Sequence, residues 1–193
     1  MTEPAVLLDR NARNWTLASA ALALLPLLLQ LPPVLASVIA ITAVLTAALS
    51  WRRVLPMPVR LVLVLAMLAT IVWQMGMVRP GRDTGCALLA AMLAIKSSEL
   101  RNLRDARSLL GFALFSPFAA FLLDQGPLTT GLAALAAVAA LLALQRLALD
   151  EGHSPRLPLR GQLRGVGRLL GIGLPLALAC FWLFPRLSTP LWG

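Results

Sequence analysis

The sequence predicts an all-α fold, a polytopic transmembrane helix bundle of six to seven helices. Hydrophobic residues make up 59% of the chain and charged residues only 13%, whereas a soluble domain of this size keeps a polar face on most of its helices. The apolar residues recur in runs approaching the about 20 residues that an α-helix needs to cross about 30 Å of hydrocarbon. Charge supplies a third observation, because 17 Lys plus Arg stand against 8 Asp plus Glu and fall between the apolar runs. Bases placed there suit helix ends that face anionic headgroups.

Residues 1–14 read as a cytoplasmic tail and 15–184 as the bundle. The first span, 15–30, is the weakest, being short and containing Pro26. No small-residue cleavage pattern follows it and further apolar runs do, so it reads as a retained helix and not a signal peptide. Leu31-Pro32-Pro33 then separates it from a second span, 34–51, with which it would form a tight hairpin. Span 59–78 is cleanly apolar and ends at Arg79-Pro80-Gly81, where Pro and Gly both stop a helix.

The fourth span, 85–100, is apolar only to Ile95, yet the helical pattern continues through Leu100 and Leu103. It is expected to emerge from lipid while still helical. Span 107–123 spaces Phe112, Phe115, Phe118 and Phe121 by three, a slowly drifting stripe on one face, and Ser116-Pro117 predicts a kink. A polar turn at 124–127 leads to span 128–149, so rich in Ala that neighbouring backbones can approach closely. The polar loop after it carries Pro155 and Pro158, and the last span, 166–184, ends at Pro185.

Bases near helix ends stay on the cytoplasmic side. With seven spans, one side collects Arg10, Arg13, Arg52, Arg53, Arg60, Lys96, Arg101, Arg104, Arg107, Arg146, Arg156, Arg160, Arg164 and Arg168. The other receives only Arg79, Arg82 and Arg186. This asymmetry predicts a multi-pass inner-membrane protein with a cytoplasmic amino terminus and a periplasmic carboxyl terminus. If the first hairpin does not span, the amino terminus moves outside. In the seven-span arrangement Trp15 and Trp51 fall at the inner interface, and Trp73, Trp182 and Trp192 near the outer one.

Several function classes find no support in the residues. Cys86 and Cys180 sit in apolar surroundings without a base nearby in sequence, and His153 has no second ligand at helical spacing. Neither a nucleophilic pair nor a metal cluster is expected, and no cofactor is implied. There is no basic helix, RNP-like strand or zinc spacing to suggest nucleic acid, so the partners expected are membrane lipids, met through their anionic headgroups at the cytoplasmic face.

Two charged stretches remain as candidates. Lys96, Glu99, Arg101, Arg104 and Asp105 form the densest cluster, with Lys96 and Glu99 at i,i+3 and Arg101 and Asp105 at i,i+4, spacings that allow pairing on a helix. The cluster reads either as a snorkelling helix end or as an inner-leaflet network clamping this helix to its neighbours. Arg156, Arg160, Arg164 and Arg168 recur every four residues, a basic ridge suited to anionic lipid or simply to positive-inside topology, and Pro158 prevents the whole stretch from being one helix.

Two segments carry a family resemblance: GCALLAAMLAIKSSELRNLRD, residues 85–105, and LFPRLSTPLWG, residues 183–193. Together with the helix pattern between them they resemble the amino-terminal membrane region of the bacterial TgpA-type transglutaminase-like proteins, the protein-glutamine gamma-glutamyltransferase family. Lys96, Glu99-Leu100-Arg101 and Arg104-Asp105 match its fourth-helix pattern, and Phe184-Pro185-Arg186 with Pro190-Leu191-Trp192-Gly193 match its exit motif. By this resemblance, residues 185–193 form a periplasmic exit segment. Such proteins continue into a covalently linked periplasmic domain with a papain-like Cys, His and Asp triad. That triad is absent here, so the chain reads as a fragment without activity of its own. The expected function is therefore that of a membrane anchor and scaffold for a periplasmic catalytic domain. The alternative is a stand-alone transporter or lipid-handling membrane protein built on one of the charged stretches.

Overall fold

The computed structural model describes residues 8–52, 55–75, 81–151 and 158–183, and among these there are seven α-helices and no β-strand. They are α1 (Arg10–Gln30), α2 (Pro33–Arg52), α3 (Met57–Met75), α4 (Arg82–Lys96), α5 (Leu103–Leu123), α6 (Pro127–Glu151) and α7 (Leu159–Leu183). All but α4 are long and apolar enough to cross a membrane. The chain divides into two compact units, the first holding α1 to α6 and the second α7.

Local chemistry sets the boundaries. Pro32 forces Leu31 into extended backbone, so α1 stops at Gln30 with the Leu31 N–H donating to the Leu27 carbonyl at 3.2 Å. Pro33 and Pro127 open α2 and α6 at the position where a missing N–H costs no intrahelical bond. Before α6, the Asp124 carboxylate accepts from the Gly126 N–H at 3.1 Å and from the Thr129 hydroxyl, so one side chain folds the turn and satisfies two donors.

The fourth and fifth helices differ from the sequence expectation. The helical pattern does not continue to Leu103. α4 ends at Lys96 after 15 residues, a 3₁₀ turn covers Ser97–Glu99, and Leu100 and Asn102 are extended before α5 begins at Leu103. The cause is Asp105, whose carboxylate accepts from the backbone N–H groups of Arg101 and Asn102, both at 3.2 Å. This is the N3 arm of a capping box, and it starts a new helix where apolar spacing alone suggested that the old one continued.

In the first unit, α1, α5 and α6 pack mainly on one another. Their buried positions recur at alternating steps of three and four: Ala133, Ala136, Ala140, Ala143 and Leu147 on α6, and Leu103, Ala106, Leu110, Ala113, Pro117 and Ala120 on α5. A 3.5-residue repeat of small side chains lets helix backbones approach closely along a shallow left-handed crossing. Close approach in turn brings hydroxyls within reach of neighbouring backbones. Ser19 on α1 donates to the Ala139 carbonyl of α6 at 3.0 Å, and Ser116 on α5 donates to the Ala23 carbonyl of α1. α1 is thus a central helix, joined to α5 and α6 more extensively than to its hairpin neighbour α2. α4 rests against α2, α3 and α5, and Thr46 of α2 reaches its Ala94 carbonyl at 2.8 Å. The Ala face of α6 has the packing use its composition suggests.

Candidate functional site

Up-and-down connectivity gathers the charged helix ends of the first unit at one end. Arg13, near the start of α1, donates to the carbonyl and, at 3.0 Å, to the hydroxyl of Ser50 near the end of α2. The Arg146 guanidinium, near the end of α6, lies over the Trp15 ring at 3.9 Å, a cation–π contact that covers part of its charge. Arg107 of α5 pairs with Glu151 at the end of α6, and the Leu8 N–H donates to the Arg101 carbonyl at 3.2 Å. The starts of α1, α3 and α5 therefore share this end with the ends of α2, α4 and α6. At the opposite end, a cavity of about 550 Å³ is lined by Gln30, Met75, Thr84 and Leu123, from the ends of α1, α3 and α5 and the start of α4. Short as it is, α4 runs from one end of the bundle to the other.

The most organised group at the charged end is Arg60, Lys96 and Glu99. Glu99 pairs through Oε2 with Lys96, and through Oε1 with the Arg60 guanidinium at 3.2 Å. Arg60 also donates from Nε to the Leu55 carbonyl at 2.9 Å, which fixes its planar head. The three side chains are 26%, 29% and 32% exposed, enough burial to strengthen their attraction and enough solvent to spare a full desolvation cost. One carboxylate thus ties α3 to the end of α4. Below it lies a groove of about 270 Å³, lined by Val64, Met67, Leu68 and Ile71 of α3, by Leu88, Ala91, Met92 and Ile95 of α4, and by Phe112 of α5. Each of the first two helices contributes an i, i+3, i+4, i+7 face, one apolar stripe apiece, and Lys96 and Glu99 line the groove at its charged end.

The candidate residues are thus sorted. Lys96 and Glu99 come together as their spacing allows. Asp105 serves the backbone of the turn, while Arg101 and Arg104 are exposed. On α7, Arg160, Arg164 and Arg168 are all exposed at four-residue intervals, one side of a helix. Arg156, Pro185, Arg186, Pro190 and Trp192 lie outside the described residues. Sequence reasoning assigned Arg60 to topology alone, because its pairing requires α3 to lie beside α4. It also passed over Trp15 with Arg146. The Asn102-x-x-Asp105 spacing was a readable sign of the cap.

The TgpA N-terminal domain model matches residues 15–193. The chain belongs to that family. A protein-glutamine gamma-glutamyltransferase of Pseudomonas aeruginosa is 33% identical over 196 residues, covering 96% of this chain and 27% of the relative. This TgpA N-terminal domain therefore spans about a quarter of the length of the curated relative that it matches. No solved structure matches it. The family match takes in the Arg60–Glu99–Lys96 group, the capped start of α5 and the basic residues of α7 alike.

Proposed function

We propose that the chain is the membrane anchor and scaffold of a transglutaminase-like protein and holds a periplasmic catalytic domain that lies beyond residue 193. Coverage carries this reading: 96% of the chain aligns with only 27% of a protein-glutamine gamma-glutamyltransferase, and the aligned part is the family's amino-terminal domain. On this reading the chain by itself catalyses nothing. Cys86 is buried between α4 and α5, where its thiol donates to the Ala119 carbonyl at 3.3 Å, a packing role and not that of a nucleophile.

The orientation follows from charge. The gathered ends carry Arg13, Arg60, Lys96, Arg107 and Arg146, and positive-inside retention puts that end in the cytoplasm of a bacterial inner membrane. Six traverses by α1 to α6 and a seventh by α7 then bring the carboxyl terminus out to the periplasm. Arg160, Arg164 and Arg168 start α7 on the cytoplasmic side, where they meet anionic headgroups. The test is a pair of reporters joined after Gly193. Alkaline phosphatase, which needs the oxidising periplasm, should be active there and green fluorescent protein dark; the reverse pattern would overturn the orientation and the anchoring role with it.

A further inference from the structure

We infer that the groove between α3 and α4 is a binding site for one anionic phospholipid, with part of an acyl chain against the apolar wall and the headgroup phosphate held by Arg60 and Lys96. The inference goes beyond anchoring and shares with it only the premise that the bundle sits in a membrane.

Donor arithmetic at the mouth points to the phosphate. Lys96 offers three N–H donors and Arg60 five, and Glu99 engages each of them through one carboxylate oxygen. Arg60 spends a further donor on the Leu55 carbonyl. The group is left with one formal positive charge and spare donors; Lys96 and Glu99 line the apolar groove, and Arg60 is held beside them through Glu99. Each Glu99 oxygen already faces one of the two cations, so an ammonium headgroup meets repulsion from both, whereas a phosphodiester finds donors. Charge complementarity therefore selects an anionic lipid over a zwitterionic one.

Shape agrees with charge. The groove runs from Lys96 to Leu88 along α4, about 12 Å at the helical rise. Its 270 Å³ falls below the range of about 300–1,000 Å³ that encloses a drug-sized ligand, so it admits part of one chain while the headgroup stays outside. Ala91 makes the hollow, being the small residue in a row otherwise filled by Leu88, Met92 and Ile95. The same unit contains a built-in comparison. A groove of about 280 Å³ between α1, α2 and α4 has no charged residue in its lining and ends at Ser97, so ordinary lipid tails can cover it without headgroup selection.

The test uses the purified full chain in detergent, titrated with phosphatidylglycerol or phosphatidylethanolamine of identical acyl chains and read by native mass spectrometry. One phosphatidylglycerol should be retained with about tenfold preference over phosphatidylethanolamine, and Lys96→Gln or Arg60→Gln should each weaken it about fivefold, as expected for the loss of one basic contact. Met92→Trp, which fills the groove and leaves the charges in place, should weaken it as well. Val44→Trp in the uncharged groove and Arg107→Gln should leave it unchanged, and glycerol phosphate, a headgroup without chains, should not compete. Equal retention of the two lipids, an equal loss in Arg107→Gln, or indifference to Met92→Trp would overturn the inference. Circular dichroism and melting of every variant separate a lost site from a lost fold. Extraction of the chain from membranes by alkaline carbonate would defeat the anchoring role instead, and is read separately.

Discussion

α1 and α3 are helices of nearly equal length, 21 and 19 residues, yet they occupy opposite environments. α1 is the less apolar of the two and 44% of its spanning window is buried inside the protein; α3 is the more apolar and only 11% of its window is buried. In water that ranking would be reversed. In lipid, apolar side chains gain nothing by leaving the tails, and helices associate through close backbone packing and interhelical hydrogen bonds. Ala12, Thr16, Ser19, Ala20 and Ala23 make α1 a weak span by hydropathy and a good centre by packing. Leu61, Val62 and Leu65 make α3 the reverse, a helix whose outer face is exposed.

The difference can be broken directly. Ala140→Leu on α6, at a position fully buried in the seam, should destabilise by about 1–3 kcal/mol through overpacking. Val62→Leu on the exposed face of α3 should stay within about 0.5 kcal/mol. Unfolding titrations with SDS in mixed micelles compare the two, and equal effects would mean that α1, α5 and α6 do not form the centre. Glu99→Gln tests how α3 is attached. Loss of the shared carboxylate leaves Arg60 facing Lys96, and because all three groups are about a third exposed the expected cost is only about 1 kcal/mol. Thermal melting should show that cost shrinking at high salt, whereas a salt-independent loss would assign Glu99 a packing role. A smaller cost than that of Glu99→Gln belongs to Ser116→Ala, where loss of one hydroxyl-to-carbonyl bond between α5 and α1 should cost about 0.6 kcal/mol. Hydrogen exchange in α1 near Leu27 should rise if that bond holds the helix pair together.

Particular residues show where sequence reasoning stops. Lys96 and Glu99 could be paired from spacing because both lie on neighbouring turns of one stretch of chain. Arg60 could not be added, since 36 residues separate it from Lys96 and only the docking of α3 on α4 brings them together. Asp105 illustrates a contest between two local rules. Its distance from Arg101 permits a helical ion pair, and its distance from Asn102 permits a cap; the cap prevailed because it satisfies backbone donors that a helix start would otherwise leave unpaired. Ser19, Ser116 and Thr46 carried no periodic signal, yet each reaches a carbonyl on another helix.

By itself the sequence determined the fold class, the breaks at Leu31-Pro32-Pro33 and before α6, and the family, because apolar run length, proline and two motifs act within a short stretch of chain. Tertiary structure decided which helices are interior and which face outward, where α4 ends, and which cation shares Glu99. Those outcomes depend on how closely two backbones can approach and on which distant helix lies alongside, and neither quantity exists until the bundle has packed.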